Sequence, residues 1–367
     1  MTVGLAAPRR SCDSAPEPTF ADGDTRYRSR ILITDRGGSP DRVKLIRANV
    51  DFERQLYLDA LQGLTSKPKE LSPKWFYDDR GSALFEAITR LPEYYLTSCE
   101  REILQKRSGE IAELVPAETL IELGSGTSEK TRLLLRALGD TGRLRHFVAF
   151  DVDEATLRSS AQRLASLYPR LLITTVVGDF ERDLSLLPPT EGRQLIAFLG
   201  STIGNLKPPQ RARFFSELAA RMSAQDALLL GSDLVKDVGR LEAAYNDSQG
   251  VTAEFNRNIL LFLNRKLGAN FVPSNFEHGA QFDRRAEWIE MLLRSSRSQR
   301  VQLPKLELEI SFEAAEEMRT EISAKFRREP LQQELQDAGL RAVRWWTDAR
   351  GDYALSLSVR ELAHGSG

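Results

Sequence analysis

Thr119-Leu120-Ile121-Glu122-Leu123-Gly124-Ser125-Gly126-Thr127-Ser128-Glu129-Lys130-Thr131 is the stretch that decides the fold. An apolar run enters two glycines, and a helical pattern from Thr131 to Leu138 leaves them. Strand, glycine turn and helix in that order build a nucleotide site. Glycine adopts backbone angles that other residues avoid and lets a ligand come close to the main chain. The third glycine of the dinucleotide fingerprint is missing. Glu122, an acid just before the turn, suits a ligand with a cationic centre and no phosphate. S-adenosylmethionine meets that description better than NAD.

Beyond the turn, strands and helices alternate. His146 to Val152 reads as a second strand, with a helix after it through Leu164. Leu171 to Val177 is a third, ending in Gly178-Asp179-Phe180. Leu195 to Leu199 is a fourth, ending in Gly200-Ser201-Thr202-Ile203-Gly204-Asn205, and Ala227 to Leu230 begins a fifth. Such alternation predicts a parallel, doubly wound sheet that binds ligands outside the carboxyl ends of its strands. The regularity then stops. Leu241 to Leu267 is helical, Leu303 to Phe312 and Arg319 to Phe326 alternate like half-buried strands, and a helix from Pro330 precedes strands over 341–346 and 353–359. A terminal antiparallel hairpin after parallel strands is the layout of class I methyltransferases, whereas a dehydrogenase more often adds a sixth parallel strand. The expected fold is therefore α/β. A Rossmann-like methyltransferase domain spans 99–235 and 326–362, and a second, α+β substrate-binding domain is built from 44–98 and 236–325. In that first segment a helix is expected over 51–63, a compact aromatic loop over 72–82, a helix over 83–89, an extended stretch over 91–97 and a long helix from Ser98. Residues 1–43, rich in Ser, Pro, Gly, Asp and Arg, read as a disordered leader.

Composition removes several classes of function. Lys plus Arg number 51 and Asp plus Glu 52, so a net charge of −1 offers no electrostatic attraction to nucleic acid or to an anionic membrane. Cys12 and Cys99 are too few for a disulfide framework, and His146, His278 and His364 lie too far apart for metal-ligand spacing; no metal is expected. No run approaches the roughly 18 apolar residues of a membrane helix. Arg9 and Arg10 precede no apolar core, so no signal peptide is expected, and a cytoplasmic monomer is the default.

The strand ends carry the candidate chemistry. Asp151 stands 25 residues after Gly126, where a carboxylate can accept both ribose hydroxyls of an adenosine; an ordinary loop Asp fits the same pattern. Asp179 can accept from an adenine amine while Phe180 covers the ring, or the two can be a turn Asp beside a core Phe. Lys130 can bind a ligand carboxylate or be a solvated helix lysine. Asn205, above the sheet, can meet an acceptor substrate or simply form a turn. Tyr77, Phe85, Tyr94 and Tyr245 read as core aromatics on pattern alone. An extended RTEISAKF segment puts Glu321, Ser323 and Lys325 on one face and Ile322, Ala324 and Phe326 on the other, with the polar face either solvated or lining a cleft.

Together LSPKWFYDDRGSALFEAITRLPEYYLT, LIELGSGTSEKTRLLL, VVGDFERDL, AFLGSTIGNL, GSDLVKD, AAYNDSQGVTAEFNRNIL, IEMLLRS, RTEISAKF and WWTD resemble the S-adenosylmethionine-dependent histidine Nα-methyltransferases, from about residue 45 to the C-terminus. The resemblance implies cofactor-binding roles for Gly124, Lys130, Asp151, Asp179 and Phe180. It implies histidine-binding roles for Tyr94, Asn205, Tyr245, Glu321 and Ser323, with Met291 near the imidazole and Tyr77 and Phe85 on the amine side. No dedicated base is implied. Orientation by Tyr77, Tyr94 and Asn205 would do the work on the amine of L-histidine, up to three methyl additions giving hercynine, and sulfur insertion would fall to another protein. Relatives that methylate a prenylated tryptophan are expected to lack the Glu/Ser pair, so histidine is favoured over a tryptophan derivative. A nicotinamide oxidoreductase is the distant alternative.

Overall fold

The computed structural model describes residues 42–47 and 52–361. Cys12, His364 and the expected leader, apart from Arg42 and Val43, lie outside the described residues. The chain begins with β1 (Val43–Arg47), α1 (Phe52–Thr65), β2 (Lys69–Glu70), α2 (Asp79–Ile88) and α3 (Tyr95–Leu114). The alternating half follows as β3 (Thr119–Leu123), α4 (Thr131–Asp140), β4 (His146–Asp151), α5 (Glu154–Leu167), β5 (Leu172–Val177), β6 (Gln194–Phe198), α6 (Pro208–Arg221) and β7 (Ala227–Asp233). Then come α7 (Val238–Tyr245), α8 (Val251–Leu267), β8 (Phe276–Asp283), β9 (Trp288–Ser295), β10 (Gln299–Leu303), β11 (Leu308–Phe312), β12 (Glu317–Ala324), α9 (Arg328–Asp337), β13 (Leu340–Thr347) and β14 (Tyr353–Arg360).

Eight strands form one sheet in the order β1-β5-β4-β3-β6-β7-β14-β13. The first six run parallel, and β14 pairs antiparallel with both β7 and β13. Side chains alternate between two apolar layers, as the pleat requires. Leu120, Phe147, Ile173 and Leu195 join the layer that holds α3, α4 and α5, while Ile121, Val148, Val176 and Ile196 join the layer that holds α6 and α9. Both faces are covered, which is why the parallel strands read as continuous apolar runs. This is the expected class I methyltransferase layout with its terminal hairpin.

A second sheet, β2-β12-β9-β8, stands with the hairpin β10-β11 beyond the alternating half. One apolar cluster runs without a break from Leu120 and Phe147 through Phe76 and Ile103 to Phe255, Ile259, Leu293 and Met318. The small sheet is thereby fastened to the large one.

Several boundaries differ from expectation. β1 pairs with Ile173–Val177 of β5, so Val43 is strand rather than leader, and residues 44–47 sit on the large sheet rather than in the second unit. Helix α3 starts at Tyr95 rather than Ser98, and α2 at Asp79, because the Asp78 carboxylate accepts from the Gly81 amide as an N-cap. The single helix expected over 241–267 is two. Asp247 accepts from the amides of Gln249, Val251 and Thr252, and Gly250 takes φ +74°, so the break is built in. The run 303–312, expected as one strand, is the last residue of β10, a turn and β11, because Pro304 has no N–H to give a ladder and Glu307 turns with φ +50°. The sequence pattern marks none of β2, β8 and β9, nor β10 before Leu303. Much of β8 is only half-buried, so its pattern never separates into two faces.

Candidate active site

The carboxyl ends of β3, β4, β5 and β6 converge on the glycine turn. Gly124 and Gly126 take φ +68° and +48°, and an added Cβ at Gly126 would meet nothing within 4 Å, so the turn opens onto space that a ligand can fill. Asp151 closes β4 with Oδ2 accepting from the Gly126 amide at 2.8 Å and Oδ1 from the Asp153 amide at 3.0 Å. Burial raises its pKa, against those backbone hydrogen bonds. Glu122 does not point its charge at a ligand. Its oxygens accept from Ser125 Oγ (2.7 Å) and Thr131 Oγ1, so it braces the turn, and burial pushes it up to about 7. Lys130 is engaged as well, donating to the fully buried Glu100. The other Glu100 oxygen accepts from the Gly200 amide (2.8 Å) and Tyr353 OH (2.7 Å), tying α3 to the end of β6.

Asp179 and Phe180 stand at the end of β5. Phe180 meets Phe198 edge-on at 5.1 Å, and Asp179 accepts from Lys74 Nζ at 2.9 Å and from the Glu181 amide. Lys74 also pairs with Asp59 at 2.8 Å, and Ser82 Oγ donates to Asp153 at 2.9 Å. Through these bonds the aromatic segment 73–82 lies over the strand ends.

The remaining candidates meet beside this crevice. Asn205, in the single turn Thr202–Asn205, donates both N–H groups of its amide, to Glu321 Oε1 at 3.0 Å and to Ile322 O at 2.7 Å. Only its Oδ1 remains to meet a ligand. Glu321 is half-buried, and burial pushes its carboxyl up to about 7, opposed by the Asn205 bond and the charge of Lys325. Ser323, two residues on and therefore on the same face, is 2.7 Å from Tyr245 OH. Met291 is the cross-strand partner of Glu321 and is buried at its side. Tyr77, Phe85, Tyr94 and Tyr245 form an edge-on chain with centroids 5.5, 6.1 and 6.2 Å apart. Burial raises the phenols of Tyr77, Tyr94 and Tyr245 well above their usual range. Tyr77 feels the charges of both Glu321 and Asp151, so it stands within electrostatic reach of the two ends of the site.

Sequence reading left out the supports of this cluster. Lys325 is fully buried and paired with the equally buried Asp233 at 2.9 Å; Asp233 also binds Lys236 and accepts from Tyr95 OH at 2.9 Å. Lys325 shared the predicted face with Glu321 and Ser323, but nothing local marked its partner 92 residues away, at the end of β7. Behind Tyr245, His278 contacts the Tyr245 carbonyl at 2.9 Å and Asn256 at 2.9 Å. Among the described residues, Cys99, Asp348 and Asp352 bring a thiol and two carboxylates within 4.8 Å of one another. Arg240 already pairs with Asp352 at 2.8 Å, and burial pushes the Cys99 thiol up to about 12, so this group is poorly made for a cation.

Residues 56–360 match a family model described as histidine-specific methyltransferase, SAM-dependent. The chain is 54% identical over 302 residues to the histidine N-alpha-methyltransferase of Mycolicibacterium smegmatis, covering 82% of this chain and 94% of that protein. It is 53% identical over 302 residues, with the same coverage, to the protein of the same name from Mycobacterium tuberculosis. Ergothioneine biosynthesis protein 1 of Schizosaccharomyces pombe is 34% identical over 225 residues, which is 58% of this chain and 29% of that longer protein.

Proposed function

Because the chain belongs to the family of histidine-specific, S-adenosylmethionine-dependent methyltransferases, we propose that it transfers methyl groups from S-adenosylmethionine to the α-amine of L-histidine. Three additions give hercynine, at the start of ergothioneine biosynthesis. The observation that carries this reading is Glu321, a half-buried carboxylate held by Asn205 beside the Ser323 hydroxyl, where an aromatic chain that runs from Tyr77 through Phe85 and Tyr94 ends at Tyr245.

The strand-end residues suit the donor. Asp151 would take the ribose hydroxyls, the open turn at Gly124 and Gly126 the amino-acid part with Lys130, and Asp179 with Phe180 the adenine. When bound, this cofactor supplies an electrophilic methyl group on a sulfonium. The chain's own residues hold the acceptor. Glu321 Oε2 accepts the imidazole N–H, Asn205 Oδ1 accepts from the α-amine, and Tyr245 faces the backbone groups of the amino acid. The phenols of Tyr77, Tyr94 and Tyr245 stay protonated at neutral pH, so none serves as an anionic base. Their oxygens and ring faces orient the neutral amine and tolerate the cation that forms. Positioning supplies the rate. Residues 52–98 and 236–325 would form the substrate-binding part and 99–235 with 326–361 the methyl-transfer part, acting as a cytoplasmic monomer without a nucleic-acid, membrane or metal partner.

Mass spectrometry of histidine incubated with enzyme and S-adenosylmethionine tests the proposal. Mono-, di- and trimethylated histidine are expected in succession, with tryptophan unmodified. Methylation of another aromatic amino acid in preference to histidine would move the assignment to that substrate.

A further inference from the structure

We infer that Lys325 is a positioning residue that fixes the hydrogen-bond polarity of the Tyr245–Ser323 hydroxyl pair, so that this pair presents a donor to the substrate ring beside the Glu321 acceptor. This rests on histidine being the substrate. A lysine ammonium has three N–H donors and no acceptor. All three have partners here: Asp233 Oδ2 at 2.9 Å, Tyr245 OH at 2.9 Å and Ser323 Oγ at 2.8 Å. Both hydroxyl oxygens therefore accept from Lys325. The two oxygens are also 2.7 Å apart, so one of their two hydrogens lies between them. The other has no partner left in the cluster and must point away from it.

Which hydrogen is free follows from acidity. A phenol is the stronger donor and an alkyl hydroxyl the stronger acceptor, so Tyr245 donates to Ser323 and Ser323 turns its hydrogen outward. Ser323 and Glu321 share one face of β12, with Glu321 Oε1 taken by Asn205 and Oε2 unpaired among the described residues. The face then shows an acceptor and a donor side by side. A neutral imidazole, with one N–H and one bare ring nitrogen, complements that pair. A ring with an N–H but no second nitrogen leaves the Ser323 hydroxyl buried and unpaired, which costs affinity. Asp233 is the counter-charge of Lys325 in this buried place, and it retains Lys236 and Tyr95 when Lys325 is changed.

The test compares histidine with β-(pyrrolyl)alanine, whose five-membered ring keeps the N–H and lacks the bare nitrogen. Wild-type enzyme should bind histidine at least tenfold more tightly in calorimetry with S-adenosylhomocysteine present. Lys325→Met, which keeps the length and removes the donors, should reduce that preference about tenfold and raise KM for histidine more than it lowers kcat, with S-adenosylhomocysteine affinity unchanged. Ser323→Ala should lose the same preference, and the double variant should lose no more than either single one. An unaltered preference in a folded Lys325→Met, or additive losses in the double variant, would overturn the inference. So would equal binding of the two amino acids by wild type, a result that stands even if the variant does not fold. An enzyme that neither binds nor methylates histidine refutes the proposed function instead, which separates the two failures.

Discussion

At the scale of single residues, Glu321 and Glu122 show what burial does to a carboxyl that a chain of letters presents as ordinary. Glu321→Ala should lower kcat/KM for histidine roughly ten- to hundredfold, since a hydrogen bond to a charged group contributes about 1.5–3 kcal/mol. Steady-state kinetics on histidine would check it, and an unchanged kcat/KM in the folded variant would defeat the role. Glu122 makes a different prediction. Its folded pKa of about 7 lies above its ordinary value of 4.5, so the folded state binds the proton more tightly than the unfolded chain. Stability therefore rises as pH falls from about 7 toward 4.5, by at most roughly 1.4 kcal/mol for each pH unit. Urea unfolding of wild type and Glu122→Gln should diverge in that window, with wild type gaining on the variant at lower pH. A constant difference between the two would show that the carboxyl does not titrate there. In the sequence, Glu122 was legible as an acid before a glycine turn, but its bonds to Ser125 and Thr131, which absorb it into the turn, depend on the helix folding back.

At the scale of elements, the site depends on the turn Thr202–Asn205 lying close to β12. A Cβ on Gly204 would come 2.9 Å from the Ala324 carbonyl oxygen and 3.1 Å from its nitrogen, so the glycine is needed for that approach. Gly204→Ala should push the turn from the strand and part Asn205 from Glu321. The expected result is a KM for histidine raised about tenfold with cofactor affinity kept, and a loss of about 1–3 kcal/mol in unfolding free energy. Wild-type KM in the alanine variant would argue that the strand yields freely. Strong, regular elements such as β3 to β7 were readable because each is apolar on both faces. Short or mixed ones such as β1, β2 and β8 were not, since their pairing partners and not their own residues select the extended state.

At the scale of the whole molecule, the segment that precedes the alternating half is fastened over the strand ends by charge. Lys74 lies between Asp59 and Asp179 at 2.8 and 2.9 Å with little exposure, and Ser82 reaches Asp153. Lys74→Met would leave the buried Asp179 without its cation, facing a half-buried Asp59 that keeps Arg182 at 3.5 Å and the Trp75 N–H. Breaking a buried pair in this way costs about 3–5 kcal/mol, so a clear fall in the denaturation midpoint is expected, together with weaker S-adenosylhomocysteine binding in calorimetry. Full cofactor affinity in a folded variant would separate the strap from the site.

The order of strands and helices, the glycine turn, the acids at the strand ends and the family pattern are legible in the residues alone, because they rest on local periodicity and on side chains close along the chain. Which charges are buried together emerges only when the chain folds. Lys325 with Asp233, Lys130 with Glu100, and Lys74 with Asp179 join residues 92, 30 and 105 positions apart. A charge is stable out of water only where a distant partner meets it, so no local pattern announces such pairs.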